Sequence, residues 1–323
     1  MNHYPSNVKE KLNSIILSMA EHHWLFSKNP GHDFTRQHLG KLSFYDTMRL
    51  IISMGKGSTN DEIMDYFDLD PDLIPSQSAF CQRRRQISLS AFEYLFSEFS
   101  SSFPSTTDKF KDHCILACDG CHVVYATNSD IIEDYNKPRL IDYKGYNHMH
   151  LNGFVDVISK AFLDVVIQPG QQPDEREALH SMLDHFTPDD PQKYIITADR
   201  GYESYDLLFH CELKNLGYVF RVKSPSFPKS ILSYYASELP DDLEEFDVTI
   251  KRFFTDKATN IMKSQSDVYR YINPSKNTPH FYELLRKNHS HLYFLQFRVV
   301  KIKTAGISKT GNLFPPDSVQ FRH

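Results

Sequence analysis

Two short apolar stretches constrain the fold of this chain more than any other feature of its sequence. Residues 114–120, CILACDG, and residues 194–201, YIITADRG, each run from strand-forming residues into an aspartate that is soon followed by glycine. Functional side chains of open α/β sheets gather at the carboxyl ends of the strands. If these two strands are parallel neighbours, Asp119 and Asp199 meet at one edge of the sheet.

The Asp119-Gly120 pair also has a simpler interpretation. Asp-Gly between two strand-like runs is typical of a tight hairpin turn, because both residues accept a positive φ angle. Taken alone, the pair favours a turn, and it is the second stretch at Asp199 that favours a catalytic role. The sequence therefore predicts a hairpin between strands at 114–118 and 123–127, with the Asp119 carboxylate presented at the sheet edge.

The first hundred residues have a different pattern from the rest of the chain. Apolar residues recur at helical spacing within residues 1–103, which indicates short helices joined by tight turns. Each predicted helix follows a residue that can cap it: Ser43, Thr59 in a capping box with Glu62, Ser76 or Ser78, and Ser88 or Ser90. The polar residues 100–112 are the predicted linker to the next domain.

Strand patterns dominate after the linker. The sequence predicts, in chain order, strands at 114–118, 123–127, 149–157 and 162–168, a helix at 174–186, a strand at 194–198, a helix at 204–216 and a strand at 218–223. We interpret residues 113–223 as a β-β-β-α-β-α-β core, although the predicted segments number four rather than three before the first helix. Such an order is typical of an α/β fold with a mixed sheet. Residues 224–304 are predicted to be a β-rich insertion, and residues 305–323 an aberrant tail.

Composition narrows the possible classes of protein. The formal charge of -5 over 323 residues argues against a surface coated with positive potential, so contact with nucleic acid must depend on local basic patches. Five cysteines give no even disulfide framework, and every apolar run is far shorter than the roughly 20 residues of a membrane span. Because the chain starts without the pattern of a secretory signal, the sequence predicts a cytoplasmic protein.

Two carboxylates at one sheet edge imply a particular chemistry. They repel each other unless a cation lies between them, and hard oxygen ligands suit Mg²⁺ or Mn²⁺. Two such ions roughly 4 Å apart can bind the attacking and the leaving oxygen of a phosphodiester displacement. The pattern therefore indicates metal-dependent phosphoryl chemistry.

Several segments resemble one family of proteins. ACDGCH, TADRGYESYDLL and GYVFRVK are similar to the catalytic-motif regions of bacterial DDE transposases of the insertion sequence four group. The segment SAFCQRRRQISLSAFEYLFSEF is similar to the N-terminal DNA-binding region of that group. The resemblance covers residues 35–303, and it implies a ribonuclease H-like fold with an N-terminal helical DNA-binding domain and a β-rich insertion.

The resemblance also implies roles for individual residues. Asp119 and Asp199 match the first two members of the family's acidic triad, which binds Mg²⁺ or Mn²⁺ in a two-metal site. Arg83, Arg84 and Arg85 lie in the DNA-binding region, although three consecutive helical residues cannot all face one way, and the alternative is a solvated helix face. The implied partners are double-stranded DNA, as element ends and target, and a second copy of the chain or a full-length transposase. The implied location is the nucleoid.

The third acidic residue of the triad has no match in the sequence. In the family it lies on a helix with the pattern Tyr-x2-Arg-x3-Glu-x6-Lys, and no tyrosine after Lys223 has an arginine three positions on. Glu283 is a helical candidate, but it precedes the last predicted strand and breaks the family order. The sequence therefore predicts a C-terminally truncated transposase with impaired chemistry. The alternative is a non-catalytic DNA-binding relic, or an inhibitor of a full-length transposase.

Two other kinds of site have weaker support. Cys118 and Cys121, beside Cys114 and His122, resemble half of a zinc knuckle, but no second pair of ligands lies at a suitable spacing. A hydrolase is disfavoured because the sequence contains no Gly-x-Ser-x-Gly elbow. Cys121 and His122 are also sequence neighbours on opposite faces of a predicted strand, so they cannot form a nucleophile and its base.

Overall fold

The structure is a computed structural model that describes residues 4–35, 41–102, 109–138, 144–273, 278–303 and 319–322. The chain divides into two compact units, Met1–Pro104 and Ser105–His323. Part of the predicted linker, residues 103–108, lies outside the described residues. Within the described ranges, no helix combines the length and the apolar character that crossing a membrane requires.

The described part of the N-terminal unit is helical. Its helices are α1 (Tyr4–Glu21), α2 (Phe44–Ser53), α3 (Thr59–Tyr66), α4 (Gln77–Gln86) and α5 (Leu89–Ser101). Ser43 caps α2 as predicted, because its Oγ accepts the Asp46 N–H at 3.1 Å and the Asp46 carboxylate accepts the Ser43 N–H at 3.3 Å. The predicted cap of α3 is wrong by one residue: Ser58, in extended conformation, accepts the Asp61 N–H at 3.2 Å, and Thr59 is already helical.

Two apolar clusters hold the N-terminal unit together. One packs α1, α2 and α5 around side chains such as Ile16, and the other packs α2, α3 and α4 around side chains such as Phe80; both side chains are fully buried. Helices α4 and α5 begin after Ser76 and Ser88, the first of the two candidates in each predicted pair. Only Ser76 uses its side chain as a cap, since Ser88 makes no such hydrogen bond.

The C-terminal unit alternates strands and helices. In the described part its elements are β1 (Cys114–Tyr125), β2 (Tyr135–Asn136), β3 (Tyr146–Asp156), β4 (Phe162–Pro169), α6 (Glu175–His185), β5 (Tyr194–Ala198), α7 (Tyr205–Leu213), β6 (Gly217–Val222), β7 (Phe246–Thr255), α8 (Asn260–Ser264), β8 (Tyr269–Tyr271), α9 (Pro279–Lys287), β9 (Leu292–Lys301) and β10 (Val319–Arg322).

These strands form one mixed sheet. Its order is β2-β3-β1-β5-β6-β10-β9-β7-β8, and β4, which is not in this series, also pairs with β3. Strand β1 is antiparallel to β3 but parallel to β5, which is in turn parallel to β6. The predicted α/β fold with a mixed sheet is therefore confirmed, and the helices α6 and α7 are the connections that precede β5 and β6.

The predicted hairpin at Asp119 is wrong. Strand β1 runs without a break through this position, and Asp119 and Gly120 pair with Gly153 and Asn152 of β3. The strands predicted at 114–118 and 123–127 are one strand, because β3 is long enough to pair with nearly all of it. The glycine after Asp119 must therefore have a reason other than a turn.

Residues after position 224 are continuous with the predicted catalytic core. Strand β10 joins β6 to β9, so the β-rich segment extends the same sheet. The largest apolar cluster also includes side chains from both parts, such as Leu208 of α7, Phe220 of β6 and Phe297 of β9. Of the predicted tail at 305–323, residues 319–322 form β10, and the remainder lies outside the described residues.

Candidate active site

The two aspartates predicted from the sequence lie on neighbouring parallel strands. The last pair in the register of β1 and β5 is Cys118 opposite Ala198. Asp119 and Asp199 are the next residues of the two strands, and adjacent strands lie roughly 4.8 Å apart. Both aspartates are exposed. The fold therefore places two accessible carboxylates beside each other where β5 ends and β1 continues, a place that we call the sheet edge.

Each aspartate carboxylate accepts a hydrogen bond from the backbone N–H of a glycine one or two residues later in the chain. Gly120 N donates to Asp119 Oδ1 at 2.9 Å, and Gly201 N donates to Asp199 Oδ1 at 2.7 Å. Through this bond Asp199 caps the short 3-10 turn Arg200–Tyr202. A carboxylate has two oxygens, so each aspartate still offers Oδ2 to a ligand.

A third carboxylate, which the sequence does not predict, faces the same space. Glu175 is the first residue of α6, and its side chain is 35% exposed. A Cβ atom placed on Gly201 would stand 2.7 Å from Glu175 Oε2 and 3.0 Å from Asp199 Oδ1. Arg176 Nε donates to Gly201 O at 3.1 Å, which ties the start of α6 to the turn after Asp199. Gly201 thus keeps open the space in which these two carboxylates approach each other.

Two side chains beside the carboxylates, Cys118 and Tyr202, have raised pKa values. Cys118 Sγ donates to Tyr202 Oη at 3.4 Å. Burial raises the pKa of the Cys118 thiol to about 12, and the negative charges of Asp119, Glu175 and Asp199 contribute to the increase. Burial likewise raises the pKa of Tyr202. Both groups are therefore neutral at physiological pH, and a buried neutral thiol is neither a nucleophile nor a metal ligand.

Gly120 is explained by a histidine of the adjacent strand. His150 of β3 is 3% exposed, and a Cβ atom on Gly120 would stand 2.4 Å from His150 Nε2 and 3.0 Å from Asn152 Oδ1. His150 Nε2 in turn lies 3.4 Å from Glu175 Oε1. A glycine inside a strand is typical of such a close approach. Gly120 therefore makes the space through which His150 reaches Glu175.

We expect Gly120→Ala to destabilise the protein by about 1–3 kcal/mol, the usual cost of inserting a group into filled space. Alanine is otherwise better than glycine inside a strand by about 0.5–1 kcal/mol, so a loss of stability isolates the contact with His150. The measurement is denaturant unfolding of the full chain. The control is Gly31→Ala, where nothing lies within 4 Å of the added Cβ. Equal, small effects of both substitutions would contradict this explanation of Gly120.

The donors at this sheet edge fit a divalent ion of the Mg²⁺ class. Asp119, Asp199 and Glu175 offer hard oxygen ligands, and an ion among them would relieve the repulsion of three like charges. Next to them, the buried Asn152 Oδ1 has no hydrogen-bond partner among the described residues. A buried amide oxygen without a partner could accept a hydrogen bond from a water molecule that is bound to such an ion.

The three predicted DNA-binding arginines of α4 fall into two classes. Arg83 is buried: its Nη1 donates to Gln86 Oε1 at 3.0 Å, and its guanidinium lies 5.2 Å from the centre of the Phe34 ring. Arg84 and Arg85 are exposed. The prediction is therefore corrected for Arg83, because its guanidinium is already used inside the N-terminal unit.

Two other candidates from the sequence do not contribute to this site. Cys118 and Cys121 lie three residues apart on the continuous strand β1, so their side chains point to opposite faces and the half-knuckle interpretation is wrong. Glu283 is exposed on α9, a helix whose buried residues pack into the apolar core. The acid that the fold places beside Asp199 is Glu175.

Comparison with known proteins identifies the family. The family model described as the transposase DDE domain matches residues 110–291, which is more than half of the chain. The matched range contains Asp119, Glu175 and Asp199 and extends from just before β1 to the residue before β9. A search of curated proteins found no match. With more than half of its length matched by that model, the chain belongs to the transposase DDE domain family.

Proposed function

We propose that this protein is a DDE transposase of the insertion sequence four group that cleaves the DNA ends of a mobile element and joins them to target DNA. The family implies DNA as the partner and a divalent metal ion as the cofactor. The observation that carries the proposal is the position of Asp119 beside the end of β5, where Asp199 follows with Glu175 close to it, inside the matched range.

In this proposal, Asp119, Asp199 and Glu175 hold Mg²⁺ or Mn²⁺. Such ions, when bound, stabilise the charge on the attacking and leaving oxygens of a phosphodiester displacement. The protein's own contribution is to fix the ligands: Gly120 N and Gly201 N each hold one aspartate oxygen. Because both aspartates are exposed, a DNA backbone can reach them without any opening of the fold.

The position of Glu175 bears on whether the protein is catalytically active. The sequence has no match to the helix on which the family carries its third acidic residue. Glu175 gives this sheet edge a third acidic group, from α6 instead, which supports catalysis. The missing match favours the alternative, a non-catalytic protein that occupies element ends.

A strand-cleavage assay separates these two functions. The purified full chain is incubated with Mg²⁺ or Mn²⁺ and with duplexes that carry the DNA flanking its gene. The proposed function predicts metal-dependent breaks that leave 3′-hydroxyl ends. Specific binding of these duplexes without any breaks would favour the non-catalytic alternative, and the absence of both binding and breaks would contradict both.

We also propose that residues 1–103 bind DNA through the exposed side of α4. We expect Arg84→Ala and Arg85→Ala to weaken binding on all duplex sequences, and each phosphate that is no longer neutralised should lower the slope of log affinity against log salt by about 1. Arg83→Ala should leave that slope unchanged and lower the stability instead, because Arg83 bonds Gln86 inside the unit. Fluorescence anisotropy at several salt concentrations measures the slopes. Equal changes of slope for all three variants would refute this assignment.

A further inference from the structure

Three histidines from three helices form a buried cluster in the C-terminal unit. His180 lies on α6, His210 on α7 and His280 on α9, and one ring nitrogen from each lies within 4.8 Å of the other two. The rings are nearly parallel, with the His210 and His280 centroids 3.9 Å apart. The side chains of His180 and His280 are 12% and 15% exposed, so the cluster can be reached from solvent.

The outer nitrogen of each ring faces a carboxylate. His280 Nδ1 lies 2.7 Å from Asp206 Oδ2, His180 Nε2 lies 3.6 Å from the same oxygen, and His210 Nε2 lies 3.2 Å from Asp184 Oδ1. Asp206 is itself held in place, because its Oδ1 accepts the backbone N–H of His280 at 3.1 Å. Histidines that bind metals usually donate their other N–H to a carboxylate in this way, which fixes the tautomer and the ring orientation.

The inner side of the cluster brings two ring nitrogens into direct contact. His180 Nδ1 and His210 Nδ1 lie 2.9 Å apart, and a neutral imidazole carries only one N–H. If both outer nitrogens donate to Asp206 and Asp184, the two Nδ1 lone pairs face each other. If either Nδ1 carries the proton instead, the outer lone pair of that ring faces a carboxylate. A proton on His180 Nδ1 is compatible with the other hydrogen bonds, because His180 Nε2 lies 3.6 Å from Asp206 Oδ2, which is too far for a hydrogen bond. A cation bound by both Nδ1 atoms would take the place of that proton and would let both outer nitrogens donate to their carboxylates.

The surroundings disfavour a positive charge on two of these rings. Burial, followed by the neighbouring His280 ring, lowers the pKa of His180 to about 4. Burial and the His280 and His180 rings lower the pKa of His210 to about 2. Both shifts have burial as their first cause, as expected for rings packed among three helices.

We propose that His180, His210 and His280 bind one divalent transition-metal ion such as Zn²⁺. The ligand atoms are His180 Nδ1, His210 Nδ1 and His280 Nε2, since the other nitrogen of each ring faces a carboxylate. Imidazole ligands select Zn²⁺, Co²⁺ or Cu²⁺ over Mg²⁺, so this site differs in chemistry from the carboxylate edge. Two ligands of a tetrahedral ion at the usual Zn–N distance of about 2.0–2.1 Å lie about 3.3–3.4 Å apart. The two Nδ1 atoms, now 2.9 Å apart, would therefore separate by a few tenths of an ångström on binding the ion.

The ion would fasten three helices together. It would join α6, α7 and α9 at one point, and His180 lies about 7.5 Å along α6 from Glu175, given the helical rise of about 1.5 Å per residue. The site therefore steadies the helix that carries Glu175 into the carboxylate edge. The inference does not depend on the proposed transposase function.

Co²⁺ titration of the chelator-treated full chain tests the inference. We expect one equivalent of Co²⁺ to give the strong visible bands of a tetrahedral centre, which Zn²⁺ abolishes by displacement and excess Mg²⁺ does not. His180→Gln and His280→Gln should each remove the bands and weaken binding by at least about 10-fold. His185→Gln is the matched control, because His185 is an exposed residue of the same helix that contacts Asp164. Asp119→Asn should also keep the bands.

Two results would overturn the proposal: a wild-type protein that gives no tetrahedral bands, or bands that persist unchanged in both histidine variants. Far-ultraviolet circular dichroism establishes whether those variants are folded. If they are not, Zn²⁺ protection of the wild-type protein from diethyl pyrocarbonate, located by mass spectrometry, replaces them. Protection of His180 and His280 but not of His185 supports the site, and equal modification with and without Zn²⁺ refutes it.

Discussion

Asp119→Asn and Asp199→Asn should each reduce metal-dependent DNA cleavage by at least about 100-fold and leave DNA affinity unchanged. Asparagine keeps the shape of the side chain and the oxygen that accepts the Gly120 or Gly201 amide, but it loses the charge that holds a divalent ion. The expected loss exceeds the roughly 10- to 100-fold cost of removing a partner one shell away from a metal. The measurement is the initial rate of cleavage in Mg²⁺ and in Mn²⁺, with binding followed separately.

Asp189→Asn is the control for this pair, because Asp189 is an exposed aspartate before β5, outside the sheet edge. It should cleave at the wild-type rate. Normal cleavage by either Asp119→Asn or Asp199→Asn would remove that residue from the site.

Glu175→Gln should lower cleavage by at least roughly 10- to 100-fold, because that is the range for a partner one shell away from a metal and the loss of a direct ligand costs more. The physical reason is that Glu175 Oε2 faces the same space beside Gly201 as Asp199 Oδ1. The measurement is the same cleavage rate, compared with that of Glu177→Gln. Glu177 lies in the same first turn of α6 and is exposed, so it shares the interaction with the helix dipole but not the site. Equal rates for the two variants would mean that Glu175 only stabilises the start of α6 and takes no part in cleavage.

The sequence predicts the aspartate pair because the signal is local. A strand that ends in an aspartate can be recognised from a few residues, and parallel pairing then brings Asp119 and Asp199 together. The same kind of local rule predicts the Asp-Gly turn, which is wrong. Gly120 is needed for the side chain of His150, which lies thirty positions later and reaches it only through the pairing of β1 with β3.

Neither Glu175 nor the histidine cluster could be predicted from the sequence. An acid in the first turn of a helix is ordinary, since it interacts favourably with the helix dipole, so nothing in the local sequence marks Glu175. His180, His210 and His280 lie far apart in the chain, unlike the closely spaced ligands of a zinc finger. Only the packing of α6, α7 and α9 brings them within reach of one ion.

The burial of one arginine has a similar origin. The run at 83–85 indicates a basic helix, and helical geometry requires that its members face different ways. Which of them turns inward depends on Phe34, almost fifty positions earlier, whose ring packs beside Arg83. Periodicity within α4 alone cannot identify that contact.

We infer that Asp119, Asp199 and Glu175 form one site for a divalent ion, and a Mn²⁺ titration measures that site without any cleavage reaction. The full chain is titrated with Mn²⁺ without DNA, and the free ion is measured by electron paramagnetic resonance. We expect Asp119→Asn, Asp199→Asn and Glu175→Gln each to weaken Mn²⁺ binding by at least about 10-fold. Asp189→Asn and Glu177→Gln should bind Mn²⁺ as the wild type does. Wild-type Mn²⁺ affinity in all three site variants would show that these carboxylates do not form a metal site.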